Sequence, residues 1–292
     1  MPIVRTTPIA AQDRTLVILP TFNERPNLEA LVLAIRSEDC DVLVVDDNSP
    51  DGTGELADRL AGDDPGVLVE HRAGKLGLGS AHIAGLRRGA ELGYALLVTM
   101  DADGSHQPRH LGPILAAARR FGGVVIGSRY VRGGSIVGWN ARRKLLSHSA
   151  NLYCRTLLGI RVHDCTSGYR CYPRRVIERI DLDRIVSDGY AFLIELLYRC
   201  LKAGVPVTEV PIRFQDRIAG TSKVSTAEIT KALKLVPRLR WQRAAPRGLE
   251  VVSADPEIEL NGIAARSPGQ AGDGAASPVS ATGDGGPGPD RS

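Results

Sequence analysis

Val98-Thr-Met-Asp-Ala-Asp-Gly-Ser-His-Gln-Pro108 is an apolar run that ends in two aspartates. From Tyr94 to Met100 the residues are apolar and few, and Gly93 stands where a preceding helix should stop. The stretch therefore reads as a buried strand. Asp101 and Asp103 fall at its C-terminal end, followed by Gly104 and by Pro108, a residue suited to the first turn of a helix. Two carboxylates this close repel each other unless a positive group lies between them. A hard divalent cation with oxygen ligands does that, and Mg²⁺ commonly takes one or two carboxylates plus substrate phosphates. An isolated Asp-x-Asp is more often a polar cap on a strand. Here the position matters, because open α/β sheets place their ligands at the carboxyl ends of strands.

Upstream, the same grammar repeats. Leu16 to Leu19 reads as a strand, Pro20-Thr-Phe-Asn-Glu24 as a loop, and a helix follows from Pro26 with apolar positions at Leu28, Leu31, Val32 and Ile35. Val42 to Val45 is a second strand ending in Asp46-Asp47-Asn-Ser-Pro-Asp-Gly52, with a helix from Gly54 to Leu60. Val67 to Glu70 is a third strand, and Leu78 to Leu92 a helix. Strand and helix alternating through short connections predict an α/β fold with a mostly parallel sheet covered on both faces. The start looks like a dinucleotide fold, but no Gly-x-Gly-x-x-Gly follows the first strand to cradle a pyrophosphate. A nucleotide-sugar, with its sugar and base near Glu24 and Asp46–Asp47 and its diphosphate neutralised by a metal at Asp101 and Asp103, fits better than NAD. Gly74-Lys75 does not make a Walker loop, since Leu76 stands where Ser or Thr should be.

The chain has 292 residues and a formal net charge of +4. Residues 1–13 read as an arm and 14–241 as one domain. Residues 242–292 run to Pro, Gly, Ala, Ser and Asp, too poor in large apolar residues to offset the entropy of ordering. That tail carries four Arg against seven Asp and Glu, a net of −3, which leaves about +7 on the rest. Such a surplus suits phosphate-rich ligands or an anionic membrane surface. With only 4% aromatic residues and no basic-aromatic pattern, nucleic acid is disfavoured. Five cysteines without a Cys-x-x-Cys, no signal-like N-terminus and no apolar run of membrane-spanning length point to a cytoplasmic protein with peripheral membrane contact.

Together, Pro20-Thr-Phe-Asn-Glu24, Val45-Asp-Asp-Asn-Ser-Pro-Asp-Gly52 and Met100-Asp-Ala-Asp-Gly-Ser-His106 resemble the family 2 glycosyltransferases of GT-A fold, and within them the dolichol- or polyprenol-phosphate mannosyltransferases. The resemblance runs from Thr15 to Trp241 and includes Gly127-Ser-Arg-Tyr130, Arg143-Lys-Leu-Leu-Ser147, Asp164-Cys-Thr-Ser-Gly168 and Gly220-Thr-Ser-Lys223. It implies that Pro20, Phe22, Glu24, Asp46, Asp47, Asp101, Ala102, Asp103, Arg217 and Lys223 bind the donor. It implies that Asp101, Asp103 and Ser105 hold Mg²⁺ or Mn²⁺ or its water; some relatives carry Gln in place of Ser105. Arg129, Arg143 and Ser147 would hold the acceptor phosphate, so that catalysis rests on Asp101, Asp103, Arg129 and Arg143. The reaction implied is inverting transfer of mannose from GDP-mannose to a polyprenyl monophosphate on the cytoplasmic face of a membrane. UDP-glucose is the rival donor, and a catalytically silent nucleotide-binding protein the rival class.

Other residues carry smaller expectations. His106 and His110 flank Pro108 without a zinc motif and read as surface histidines. Asp188 and Glu195 could face the sugar or lie on a helix surface. Trp139 to Arg161 and Ser225 to Trp241 read as basic amphipathic helices able to lie near a membrane, with most of their leucines expected to pack on the sheet. Many relatives append transmembrane helices after this point, whereas this chain continues as a polar tail, which leaves room for a membrane-anchored protein partner. Pro237 stands where the Gln of a processive Gln-x-x-Arg-Trp signature would be, so single transfer is favoured over polymerisation.

Overall fold

The computed structural model describes residues 14–216, 226–241 and 251–253. Strands β1 (Thr15–Thr21), β2 (Asp41–Asp46), β3 (Val67–His71) and β4 (Leu96–Thr99) alternate with helices α1 (Arg25–Arg36), α2 (Thr53–Asp63) and α3 (Leu78–Glu91). After α4 (Leu111–Phe121) come β5 (Val124–Ser128), β6 (Ser135–Val137), α5 (Ala141–Leu158), β7 (Arg170–Pro173), α6 (Arg174–Arg179) and α7 (Tyr190–Lys202). Strands β8 (Val207–Pro211) and β9 (Arg213–Gln215), helix α8 (Thr226–Trp241) and strand β10 (Val251–Ser253) complete the described elements.

The main sheet runs β10-β8-β5-β7-β4-β1-β2-β3, and a two-stranded sheet pairs β6 with β9. Side chains alternate across the main sheet with the period of two that strands impose. From β1, Leu16 and Ile18 enter one core, Val17 and Leu19 the other. The first core is covered by α3, α5, α6, α7 and α8, the second by α1, α2 and α4. All four residues are fully buried, which removes about 1.5–3 kcal/mol worth of exposed apolar surface apiece. Helix α3 comes close to the sheet through Gly85 and Gly89, where an added Cβ would stand 2.3 Å from Ile18 Cγ2 and 2.5 Å from Leu97 Cδ2.

One strand departs from the parallel pattern. β7 runs antiparallel to both β4 and β5, with Val98 opposite Cys171 and Ile126 opposite Arg170. Its reversed direction brings the segment before it, 164–169, to the carboxyl ends of its neighbours. Arg170 is fully buried and donates to the carbonyls of Cys165 (2.7 Å), Ser167 (2.8 Å) and Leu193 (2.6 Å), pinning that segment to α7. The five cysteines are all free and buried.

Two sequence expectations change here. Leu145, Leu146 and Leu152 of α5 are exposed, and only Leu158 of the five leucines is fully packed inside. The buried positions of α5 are Asn151, Cys154 and Leu158, so the helix contributes to the core only from its C-terminal half. Past residue 241 the described chain is β10, which pairs in parallel with β8 through Val251 and Val252, β-branched residues suited to a strand. The rest of the expected tail, and the arm 1–13, lie outside the described residues. No helix among the described residues is long and apolar enough to cross a membrane.

Candidate active site

The carboxyl ends of β1, β2, β4 and β5 face one side of the molecule, and most of the expected site residues gather there. Pro20 is buried within β1, paired in register with Val45. Asp46 is 2% exposed and accepts from the Thr21 hydroxyl (2.8 Å), the Ser49 hydroxyl (2.6 Å) and the Ser49 amide (2.9 Å), which ties the loop after β2 to the end of β1. Thr53 Oγ1 accepts from the Glu24 amide at 3.1 Å, and Glu24 Oε2 accepts from Asn27 at 3.0 Å. Asp47 is turned onto the loop after β3, where it pairs with Arg72 at 2.5 Å and accepts from the amides of Leu76 and Gly77, both at 3.1 Å. That loop carries Lys75, whose ammonium lies 4.1 Å from the centre of the Phe22 ring, a cation–π contact. Lys75 was not legible as a site residue, because its neighbours match no phosphate loop. Asp47, reaching across from β2, brings it there.

The loop after β4 is built from its own atoms. Ser105 donates its amide to Asp103 Oδ1 at 3.0 Å, and the Asp101 amide donates to Nδ1 of His106 at 3.0 Å. His106 is therefore a buried support and not a surface histidine. Its ring stands 5.0 Å from Tyr169 and 5.4 Å from Phe214, and burial holds it below its usual pKa against the pull of Asp101 and Asp103. His110, also lowered by burial, to about 4, accepts from the Arg213 amide. Gly168 lies so close that an added Cβ would be 3.0 Å from Asp101 Oδ1.

These residues can be tested against a divalent cation. Among the described residues no group of three or more His, Cys, Asp or Glu could hold a metal ion. The Ser105 hydroxyl, however, is buried beside Asp103 with no hydrogen-bond partner among the described residues, and a buried unpaired hydroxyl is costly unless something else completes it. Two carboxylates and one hydroxyl, with the remaining positions left to a diphosphate and water, fit a hard cation of the Mg²⁺ type.

A second cluster follows β5. Arg129 is 8% exposed and forks onto Asp164 through Nε (2.7 Å) and Nη2 (2.6 Å), with Nη2 also donating to the Thr166 hydroxyl at 2.8 Å. Burial pushes the Asp164 carboxyl up, but the Arg129 charge and hydrogen bonds outweigh it and hold it below the usual carboxylate value. Burial likewise lowers Arg129, and Asp164 more than reverses it. The guanidinium is ringed by Tyr130, Trp139 and Phe214, each with its centre 5.3–5.7 Å away. Arg143 of α5 stacks 4.1 Å from the centre of the Trp139 ring and pairs with Asp216 at 2.9 Å. Ser147 Oγ accepts from the Tyr130 hydroxyl at 2.7 Å.

Arg129, Arg143 and Ser147 are thus brought together, and Phe214 joins them to the aspartate loop by touching both Arg129 and His106. Asp188 is on the surface, accepting from the Gly79 amide at 3.0 Å. Glu195 is a buried partner of Arg199 at 2.6 Å and of the Val186 and Ser187 amides. Arg217 and Lys223 lie outside the described residues.

The chain is similar to known proteins. Polyprenol monophosphomannose synthase of Mycolicibacterium smegmatis is 50% identical over 224 residues, covering 76% of this chain and 84% of its own. Undecaprenyl-phosphate mannosyltransferase of Micrococcus luteus is 47% identical over 234 residues, covering 80% and 95%. Among solved structures, the mannosyltransferase PcManGT from Pyrobaculum calidifontis, in complex with GDP-Man and Mn²⁺, is similar at a TM-score of 0.52 and 17% identity. That likeness covers 81% of this chain and 67% of that one, and speaks for a shared GT-A fold alone. Residues 16–181 match the model of Glycosyl transferase family 2, a span that carries the aspartate loop together with Arg129, Arg143 and Ser147, and to that family of glycosyltransferases the chain belongs.

Proposed function

We propose that this protein transfers a mannosyl group from GDP-mannose to a polyprenyl monophosphate, with inversion, at a membrane surface. The observation that carries the reading is the meeting, at the carboxyl ends of one sheet, of a carboxylate loop fit for a cation with an arginine–serine cluster fit for a second phosphate. The two relatives named above for polyprenol and undecaprenyl phosphate supply the acceptor class and the mannosyl group.

In this reading Asp101, Asp103 and Ser105 hold a divalent cation, which when bound would supply charge stabilisation to the departing diphosphate. Phe22, Glu24 and Lys75 line the nucleotide end, with Asp46 and Asp47 fixing the loops that present them. Arg217, outside the described residues, is assigned to the diphosphate by the sequence resemblance alone. A phosphate monoester is already ionised at neutral pH, so its attack on the sugar needs no general base. What it needs is alignment against an anionic donor, and Arg143 with Ser147 provides that while Arg129 fixes the floor beneath them.

The acceptor's hydrocarbon chain stays in the bilayer, because each CH₂ withdrawn from it costs about 0.8 kcal/mol. The protein must come to the lipid. Exposed Leu145, Leu146 and Leu152 of α5 stand beside Arg142 and Lys144, and exposed Leu233 and Trp241 of α8 beside Lys234, Arg238 and Arg240. The two helices are tied by the Tyr153 hydroxyl, which donates to the Leu233 carbonyl at 3.0 Å. Each basic residue near anionic lipid contributes about 1 kcal/mol, so attachment is peripheral and reversible.

Purified protein with Mg²⁺ or Mn²⁺, polyprenyl phosphate and a panel of labelled nucleotide-sugars tests the reading. Label should reach the lipid from GDP-mannose; lipid labelled from UDP-glucose in its place would overturn the donor assignment, and no labelled lipid the whole proposal.

A further inference from the structure

The two arginines of the second cluster are held by carboxylates of different kinds. In the Arg129–Asp164 pair the side chains are 6% and 0% exposed, so the pair is locked away from solvent. In the Arg143–Asp216 pair they are 27% and 41% exposed. Water screens that second pair, and an arriving anion can replace the carboxylate.

Asp216 is placed for this role by the backbone. Its amide donates to the Val137 carbonyl at 3.0 Å, continuing the β6–β9 pairing to the start of α5. Gly138 makes the approach possible: its φ is +88°, and a Cβ there would meet the Cβ of Asp216 at 2.7 Å. Trp139 covers one face of the same guanidinium. Arg143 is therefore aimed, stacked and already carrying an anion at its edge. The strand that delivers Asp216 is also anchored to the aspartate loop, with the Gln215 amide on the Ser105 carbonyl at 3.2 Å and Gln107 on Gln215 at 2.6 Å. The carboxylate cannot drift far from the site.

We infer that Asp216 is a place-holding counter-ion for Arg143, displaced by the acceptor's phosphate, and that it sets the acceptor affinity. The inference rests on the assignment of Arg143 to the acceptor under Proposed function. Asp216 keeps the guanidinium in position before the acceptor arrives, and a dianionic phosphate entering there meets it as a like charge. The cost of displacing it falls on acceptor binding and not on donor binding.

Asp216→Asn keeps the shape and a hydrogen-bonding oxygen but removes the charge. With the full-length protein and farnesyl phosphate as a short acceptor, KM for the acceptor should fall about three- to tenfold, with kcat and donor KM changed less than about twofold. In an Arg143→Ala background the same substitution should change acceptor affinity by a smaller factor, since only the like-charge repulsion is then relieved. A second readout needs no turnover. The chain has two tryptophans, so Trp241→Phe leaves Trp139, beneath Arg143, as the sole reporter for a fluorescence titration with farnesyl phosphate alone. An acceptor affinity unchanged or weakened by Asp216→Asn overturns the inference. Absence of mannosyl transfer in the unsubstituted protein would overturn the functional reading instead, and the titration would still decide whether Asp216 limits isoprenyl phosphate binding at Arg143.

Discussion

Asp103→Ala is expected to lower transfer about a thousandfold or more while leaving the fold intact, because stabilisation of a departing diphosphate is worth several kcal/mol and each 1.4 kcal/mol is tenfold in rate. Asp103 is 5% exposed and its Oδ1 accepts from the Ser105 amide, so removing the side chain loosens the loop as well as discharging it. Asp103→Asn separates the two effects, since the amide oxygen can keep the Ser105 contact and only the charge is lost. Both variants should fail alike, and excess chelator should silence the unsubstituted protein. Full turnover of Asp103→Asn, or of the unsubstituted protein in chelator, would remove the cation from the mechanism.

Asp164→Ala has the largest effect expected on stability. It strands the Arg129 guanidinium, buried among three aromatic rings, without its counter-charge. Breaking such a pair from one side costs about 3–5 kcal/mol, which for a domain of this size is a fall in Tm of roughly 10 °C. Replacing both partners by apolar residues removes the stranded charge, so Asp164→Ala with Arg129→Met should regain much of the lost stability. Transfer should not return with it, because the floor under Arg143 and Ser147 is then rebuilt without its charge network. A single variant as stable as the unsubstituted protein would show that the pair contributes nothing to the fold. Recovery of activity in the double variant would show that Arg129 plays no part in the site.

The parts legible in the sequence are those where the local pattern and the tertiary demand coincide. Leu16–Leu19 and Val42–Val45 are short apolar runs that suit only a sheet covered on both sides, and Leu28, Leu31, Val32 and Ile35 have a helical spacing that leads to one core. β7 was not legible. It has four residues, and one of them, Arg170, reads as a surface side chain until Cys165, Ser167 and Leu193 are seen to turn their carbonyls inward to it. His106 was misread for the same reason: nothing local says that Tyr169 and Phe214 will bury it. The leucines of α5 show the opposite error. Their spacing marks an apolar face, but spacing is silent on whether protein or lipid covers it, and Leu145, Leu146 and Leu152 stay exposed among the described residues. Lys75 and Asp216 enter the site through contacts with Phe22 and Arg143 across more than fifty residues of sequence, which no local motif encodes.

The central claim is that the carboxyl ends of the sheet hold two phosphates at two places, the donor's at the aspartate loop and the acceptor's at Arg143. Arg143→Ala tests it most directly, read by acceptor KM during turnover and by nucleotide-sugar binding measured without acceptor. A charge-assisted contact to phosphate contributes roughly 1.5–3 kcal/mol, so the acceptor KM should rise about tenfold or more while donor binding stays within about twofold. Weakened donor binding with an unaltered acceptor KM would contradict the claim.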